Sequence, residues 1–177
     1  LACTILIYDA LKAWGIIGSY PTTEHFHDLS KLLYGFIIFW AYVAFSQYFL
    51  TWYANIPEFT QWYYPRIIGE WRPLFFLLII FHFIVPLFGF MSRHVKRNRM
   101  GRTIFCILII VMHYLDIRFI IFPNVTSANH ISSTEALLLI AFAMIIFSSI
   151  ALKINRHPLL PERDPRRSES EALENSL

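Results

Sequence analysis

Long apolar runs separated by short polar segments dominate the sequence. Four runs, at residues 30–54, 73–91, 103–122 and 134–152, would each reach roughly 28 to 37 Å as helices, enough to cross a hydrocarbon core of about 30 Å. Residues 1–18 are shorter and carry Asp9 and Lys12, so we expect the end of a truncated upstream helix there. The pattern predicts an all-α integral membrane protein. It would be a polytopic helical bundle with four full transmembrane helices within residues 19–157 and a disordered tail over 158–177.

The composition agrees with this pattern and excludes several other classes of protein. Hydrophobic residues make up 56% of the chain and its mean hydropathy is +0.51, which favours the lipid bilayer as its main solvent. The net charge is +3, but the basic residues lie beside the apolar runs, so we expect no nucleic-acid partner. Cys3 and Cys106 have no ligand spacing around them. We therefore predict that this chain alone binds no haem, iron-sulfur cluster or other metal.

The charges of the loops predict an orientation. Lys and Arg accumulate on the cytoplasmic side of membrane proteins, and residues 92–102 are rich in both. The last run ends at Lys153 and Arg156, whereas residues 123–133 contain neither Lys nor Arg. We expect the basic hairpin and the C-terminus in the cytoplasm. The connection at residues 55–72 would then be external, bracketed by aromatic side chains typical of the headgroup level.

Three ionisable residues lie deep within the predicted spans, where such groups are costly and are functional candidates by default. Counting from the span ends puts His82 about 14 Å and His113 about 15 Å from opposite surfaces, so both lie near the midplane. Asp116 follows His113 by three residues, and the two could share a helix face and exchange a proton. They could equally be a buried polar pair that holds helices together. Pro86 follows His82 by four residues and predicts a kink, either beside a cavity or in a packed helix.

Other polar residues lie in the predicted outer half. Ser46 and Gln47 would extend a polar path from the midplane to the outside, although uncharged groups of this kind are also ordinary in helix packing. Arg118 lies nearer the outer end, where it could snorkel or neutralise an acid on another helix. These three are weaker candidates for cofactor binding.

A metal site at His25, His27 and Asp28 is conceivable from their spacing. No fourth ligand is evident, and Asp28 is placed to cap the following helix. We expect the capping role.

Several motifs resemble the NrfD-like membrane subunits of bacterial alternative complex III, in particular the one called quinol:cytochrome c oxidoreductase quinone-binding subunit 2. The resemblance covers nearly the whole chain and includes EHFHDLSKLL (24–33), FWAY (39–42), FSQY (45–48), WYANIPE (52–58), SRHVKRN (92–98), MHYLD (112–116), HPL (157–159), DP (164–165) and EN (174–175). Members of that family are about twice as long. The resemblance therefore implies a C-terminal fragment, with a split gene as the alternative.

The resemblance also implies a function. The chain would be one subunit of a respiratory complex that takes electrons from quinol, packed beside a paralogous NrfD-like subunit in the bacterial inner membrane. Iron-sulfur and multihaem cytochrome c subunits would carry the electrons onward, so the chain would not be catalytic alone. Quinone or quinol would be the bound cofactor, with His82, His113 and Asp116 handling its protons.

Two other functions remain open at this stage. The chain could be a non-catalytic membrane anchor for other subunits. It could also be a secondary transporter, which likewise places ionisable groups at the midplane, but transporters usually have paired, Gly-interrupted helices and these spans contain few glycines.

Overall fold

The computed structural model describes residues 1–18, 21–125, 131–154, 159 and 165–172, and this part of the chain is helical without strands. The helices are α1 (Ala2–Ala13), α2 (Thr23–Ala54), α3 (Pro57–Ile67), α4 (Arg72–Leu77), α5 (Val85–Met91), α6 (Arg93–Arg97), α7 (Arg99–Ile121), α8 (Ser133–Ile154) and α9 (Arg167–Glu171). A π-helical segment, Leu78–Ile84, joins α4 to α5, and a 3-10 turn, Phe122–Asn124, extends α7.

Four helices in the described part of the chain are long and apolar enough to cross a membrane. They are Thr23–Ala54, Arg72–Met91, Arg99–Asn124 and Ser133–Ile154. Each contains one of the predicted apolar runs, so the prediction of an all-α polytopic membrane protein is confirmed. Most of the predicted disordered tail lies outside the described residues, although Arg167–Glu171 within it is helical.

Helix α2 begins at Thr23, seven residues before the predicted start of the span at position 30. The sequence between these points looks too polar for a buried helix. In the structure Glu24 and His27 are nevertheless buried, because the first turns of α2 pack against other helices rather than facing solvent. Buried polar groups of this kind are tolerated where the fold supplies partners.

The chain divides into two units, of which the first contains α1 to α7 and the second contains α8 and α9. In the first unit α1 packs on α7 and α2, and α2 packs on α5 and α6. One apolar cluster includes Ile5, Phe26, Ile37, Phe90 and Cys106. A second cluster joins Trp71, Leu74, Leu78 and Phe119 near the other end of the helices. We call the end with α6 and the starts of α2 and α7 the basic end, and the end with α3 and the last turn of α7 the aromatic end.

Charged side chains at the basic end are buried in pairs. Arg102 donates from Nε to Oδ2 of Asp9 at 3.0 Å and from Nη1 to the Lys96 carbonyl at 3.1 Å, and its guanidinium lies 4.2 Å from the Phe26 ring centroid. Asp9 is 5% exposed and Arg102 is 3% exposed. Arg97 forms a second ion pair with Glu24. These contacts connect α1, α2, α6 and α7 to one another.

At the aromatic end, Arg66 connects α3 to α7. It is fully buried and donates to the carbonyls of Phe119 at 3.0 Å and Ile120 at 2.7 Å, while its guanidinium stacks 3.5 Å from the ring of Trp62. The last carbonyls of a helix carry partial negative charge, so they suit a cation. Burial lowers the pKa of Arg66 to about 10, and the side chain therefore remains cationic at neutral pH.

Candidate functional site

His82 lies in the π-helical segment between α4 and α5. The segment ends at Ile84, two residues before Pro86, and the Val85 amide donates to the Ile80 carbonyl five residues back. A π-helical turn holds one more residue than an α-turn and is frequently found at functional sites. The sequence predicted a kink at Pro86, and the residues before Pro86 form this π-helical segment.

The imidazole of His82 packs against the indole of Trp40 from α2, with the two rings tilted relative to each other. Their ring centroids are 4.1 Å apart with an interplanar angle of 32°. His82 is only 4% exposed, and its Nδ1 is buried without a hydrogen-bond partner in the described part of the chain. A buried polar atom left unpaired costs on the order of 1–3 kcal/mol, so each one in a folded protein needs an explanation.

Trp40 also contacts the second candidate, Asp116. The indole Nε1 donates to Oδ2 of Asp116 at 2.9 Å, and the carboxyl group is 8% exposed. One tryptophan therefore touches both His82 on the π-helical segment and Asp116 on α7. We call His82, Trp40, Asp116 and His113 the midplane cluster.

His113 forms the edge of the midplane cluster. Its ring centroid lies 6.2 Å from that of His82, with an interplanar angle of 67°. The His113 side chain is exposed at the surface of the first unit. The sequence suggested that His113 and Asp116 share a face and can hydrogen-bond. Three residues on a helix differ by about 60° around its axis, and here this difference turns Asp116 inward and His113 outward. Within the described residues the two side chains share no hydrogen bond.

The weaker candidates lie apart from the midplane cluster. Ser46 is half-buried and Gln47 is exposed on α2, about 9 Å along the helix from Trp40. Arg118 is buried at the aromatic end, where its guanidinium lies 4.9 Å from the Phe122 ring and 5.7 Å from the Trp71 ring. The structure therefore unites His82, His113 and Asp116 and assigns Arg118 to packing at the aromatic end.

Trp40 is the member of the midplane cluster that the sequence analysis missed as a site residue. Tryptophans in membrane helices concentrate at the interfaces. Trp40 lies ten residues into the first predicted span, about 15 Å along it. The position of Trp40, far from both ends of its span and level with His82, was the signal in the sequence that could have identified it as a site residue.

Two of the three residues considered for a metal site have other partners in the structure. The N-cap of α2 is Thr22, whose Oγ1 lies 2.7 Å from Nδ1 of His25. Asp28 does not cap the helix, because it lies inside α2, where it accepts a hydrogen bond from Lys31 at 3.1 Å. Among the described residues, no group of three or more His, Cys, Asp or Glu side chains is arranged to hold a metal ion.

Comparison with known proteins adds nothing to this geometry. No protein-family model matches the sequence, and no curated protein matches it. The assignment of a function therefore depends on the chemistry of the midplane cluster and on the sequence motifs.

Proposed function

We propose that this chain is a membrane subunit of a respiratory quinol:electron-acceptor oxidoreductase of the alternative complex III type, and that the midplane cluster binds quinol and accepts its protons. The observation that carries the proposal is the buried, unpartnered Nδ1 of His82, held between Trp40 and His113 in the described part of the chain. The sequence motifs support the class of complex.

The depth of the cluster supports a function in the membrane interior. His82 lies ten residues from the start of its helix at Arg72, or about 15 Å along it. Asp116 and His113 are on the neighbouring helix, and ionisable groups at this depth are rare unless they serve transport or chemistry. If His82 served only in packing, its buried Nδ1 would be expected to have a hydrogen-bond partner.

The residues present fit a quinol. The headgroup of a quinol is a flat aromatic ring with hydroxyl donors, so it needs an apolar or aromatic surface and a hydrogen-bond acceptor. Trp40 supplies an indole, and the neutral imidazole of His82 can accept at Nδ1 when its other nitrogen carries the proton. His113 and Asp116 supply two further groups that can carry a proton.

Each residue of the cluster has a distinct part in the proposed proton transfer. Oxidation of a bound quinol releases two electrons and two protons, and the electrons pass to redox carriers in other subunits. His82 accepts the two protons in turn at Nδ1 and passes each to His113, while the Asp116 carboxylate, held by the Trp40 N–H, stabilises positive charge on His113. His113, at the exposed edge, delivers each proton outward.

The proposal includes a location and partners. The chain would lie in the bacterial inner membrane with its basic end and C-terminus on the cytoplasmic side, as the distribution of Lys and Arg favours. A paralogous NrfD-like subunit would pack beside it, and iron-sulfur and multihaem cytochrome c subunits would accept the electrons.

The test uses the purified complex with His82→Gln, His113→Gln or Asp116→Asn in this chain. Each variant should assemble, while His82→Gln lowers quinol oxidation by about 100-fold, the lower range for loss of a general base. Asp116→Asn should also reduce proton release per quinol. His94→Gln and Asp28→Asn are matched controls at the basic end and should retain full activity.

Full activity in all three cluster variants would overturn the proposal and favour a membrane anchor. Substrate-dependent ion flux in vesicles without quinol would instead favour a transporter. Genes for a multihaem cytochrome and an iron-sulfur protein beside this one would support the proposed complex.

A further inference from the structure

Two lysines from different helices meet at the basic end. Lys31 lies on α2 and Lys96 on α6, and burial together with the positive charge of Lys31 lowers the pKa of Lys96. The Lys96 Nζ also lies 5.8 Å from the Tyr34 ring centroid. Tyr34 follows Lys31 by three residues on α2, so Lys96 lies beside the same turns of α2 as Lys31. The repulsion between the two positive charges favours an anion that contacts both.

The acids around the two lysines neutralise only part of this charge. Asp28 pairs with Lys31 at 3.1 Å, with both side chains about half exposed, and Glu24 pairs with Arg97. In the described part of the chain, Lys96 forms no ion pair with a carboxylate. Lys96 is therefore the cation available to a ligand.

A buried histidine lies beside the lysines. His27 is 6% exposed, and its Nδ1 has no hydrogen-bond partner among the described residues, although Oδ1 of Asp28 lies 3.9 Å away. It precedes Lys31 by one helical turn on α2, and both Lys31 and Lys96 are close enough to act on it electrostatically. Its imidazole can donate to an anion alongside the two ammonium groups.

The surface of α2 next to Lys31 is apolar and open. Leu32, Phe36 and Phe39 are 52%, 53% and 59% exposed. At Gly35, one turn beyond Lys31, no atom lies within 4 Å of the position that a Cβ would take. A hydrocarbon chain can therefore lie against the helix at this point.

We propose that Lys31, Lys96 and His27 bind the phosphate of an anionic phospholipid, one acyl chain of which lies along α2 at Gly35. Basic residues at the end of a membrane helix are suited to anionic headgroups. A phospholipid is favoured over soluble phosphate because the cations are continuous with an apolar surface that only a lipid would cover. The site is separate from the midplane cluster and does not depend on the quinol assignment.

Native mass spectrometry of the purified complex, titrated with phosphatidylglycerol or phosphatidylcholine, tests the proposal. The double variant Lys31→Gln with Lys96→Gln should bind phosphatidylglycerol about 30-fold more weakly, since each lysine near an anionic lipid contributes about fivefold. Binding of phosphatidylcholine should not change. Arg93→Gln with Arg99→Gln removes the same charge from exposed residues of the same hairpin and should have little effect.

Further variants keep the proposal testable if the double variant is unstable. Lys96→Gln alone should weaken binding about fivefold, replacement of both lysines by Arg should restore it, and Asp28→Asn should strengthen it. Equal losses in the lysine and arginine double variants would overturn the site, as would equal binding of the two lipids by the unmodified complex. Displacement of the lipid by millimolar inorganic phosphate would show that the site takes a soluble anion, which would also overturn the proposal.

Discussion

The Asp9–Arg102 pair at the basic end and the midplane cluster both bury ionisable side chains, but these groups have different hydrogen-bond partners. At the basic end, Asp9 and Arg102 bind each other through two hydrogen bonds, and Arg102 has a further acceptor in the Lys96 carbonyl. In the midplane cluster, Asp116 has a donor in Trp40, whereas His82 Nδ1 has no partner in the described residues.

This difference distinguishes a structural ion pair from the proposed chemical site. A buried pair with matched donors and acceptors has little left to offer a ligand and mainly fixes the helices relative to one another. An unpartnered buried nitrogen beside an aromatic ring retains a binding capacity that the fold does not use. We therefore assign helix attachment to Asp9 and Arg102, and we propose proton chemistry for His82 and its neighbours.

The largest effect should come from breaking the pair at the basic end. Asp9→Ala leaves the guanidinium of Arg102 buried without its carboxylate, which should lower the free energy of unfolding by about 3–5 kcal/mol. Equilibrium unfolding in mixed micelles would measure the loss. Asp28→Ala breaks only a half-exposed pair and should cost less than about 1 kcal/mol. If Asp9→Ala and Asp28→Ala lowered the free energy of unfolding by similar amounts, the buried Asp9–Arg102 pair would have no special structural role.

A smaller loss is expected at Trp40. Trp40→Phe keeps an aromatic ring against His82 but removes the donor to Asp116, which should lower the free energy of unfolding by about 1.5–3 kcal/mol. Quinol oxidation by the assembled complex should also fall, because the carboxylate loses its orientation. Trp52→Phe, at an exposed position later in α2, is the matched control. Unchanged turnover in Trp40→Phe would show that Trp40 does not contribute to quinol oxidation.

Close packing near the basic end can be tested at a glycine. A Cβ at Gly89 would lie 2.1 Å from Cζ of Phe105, so Gly89→Ala should cost about 1–3 kcal/mol through displacement of the ring. Gly35→Ala meets open space within α2 and should be neutral or stabilising by up to about 1 kcal/mol. The contrast would be measured by the same unfolding assay. A stabilising Gly89→Ala would show that Phe105 moves without cost.

The smallest effect on stability should occur at His82. His82→Leu removes a polar atom that has no partner in the described part of the chain, so the free energy of unfolding should stay within about 1 kcal/mol of the unmodified protein or rise. Quinol oxidation should nevertheless be lost. A large loss of stability in this variant would mean that His82 is a packing residue, and the comparison between the two regions would fail.

Much of the helical architecture was accessible from the sequence. Apolar runs of about twenty residues have few alternatives to membrane helices, because an unpaired backbone in hydrocarbon is costly. The start of α2 was placed too late because Asp28 was expected to cap the helix. The burial of Glu24 and His27 depends on α1 and α6, which pack on α2, and α6 is distant from these residues in sequence.

The sequence by itself determined the all-α class, the apolar spans and the positions of His82, His113 and Asp116 along them, since these follow from hydrophobicity and a fixed rise per residue. Only the tertiary structure decided which side chains meet. It brought Trp40 to both His82 and Asp116, turned His113 outward and joined Asp9 to Arg102 across 93 positions of sequence. Such pairings depend on the rotation and packing of each helix against its neighbours, which helical periodicity alone does not specify.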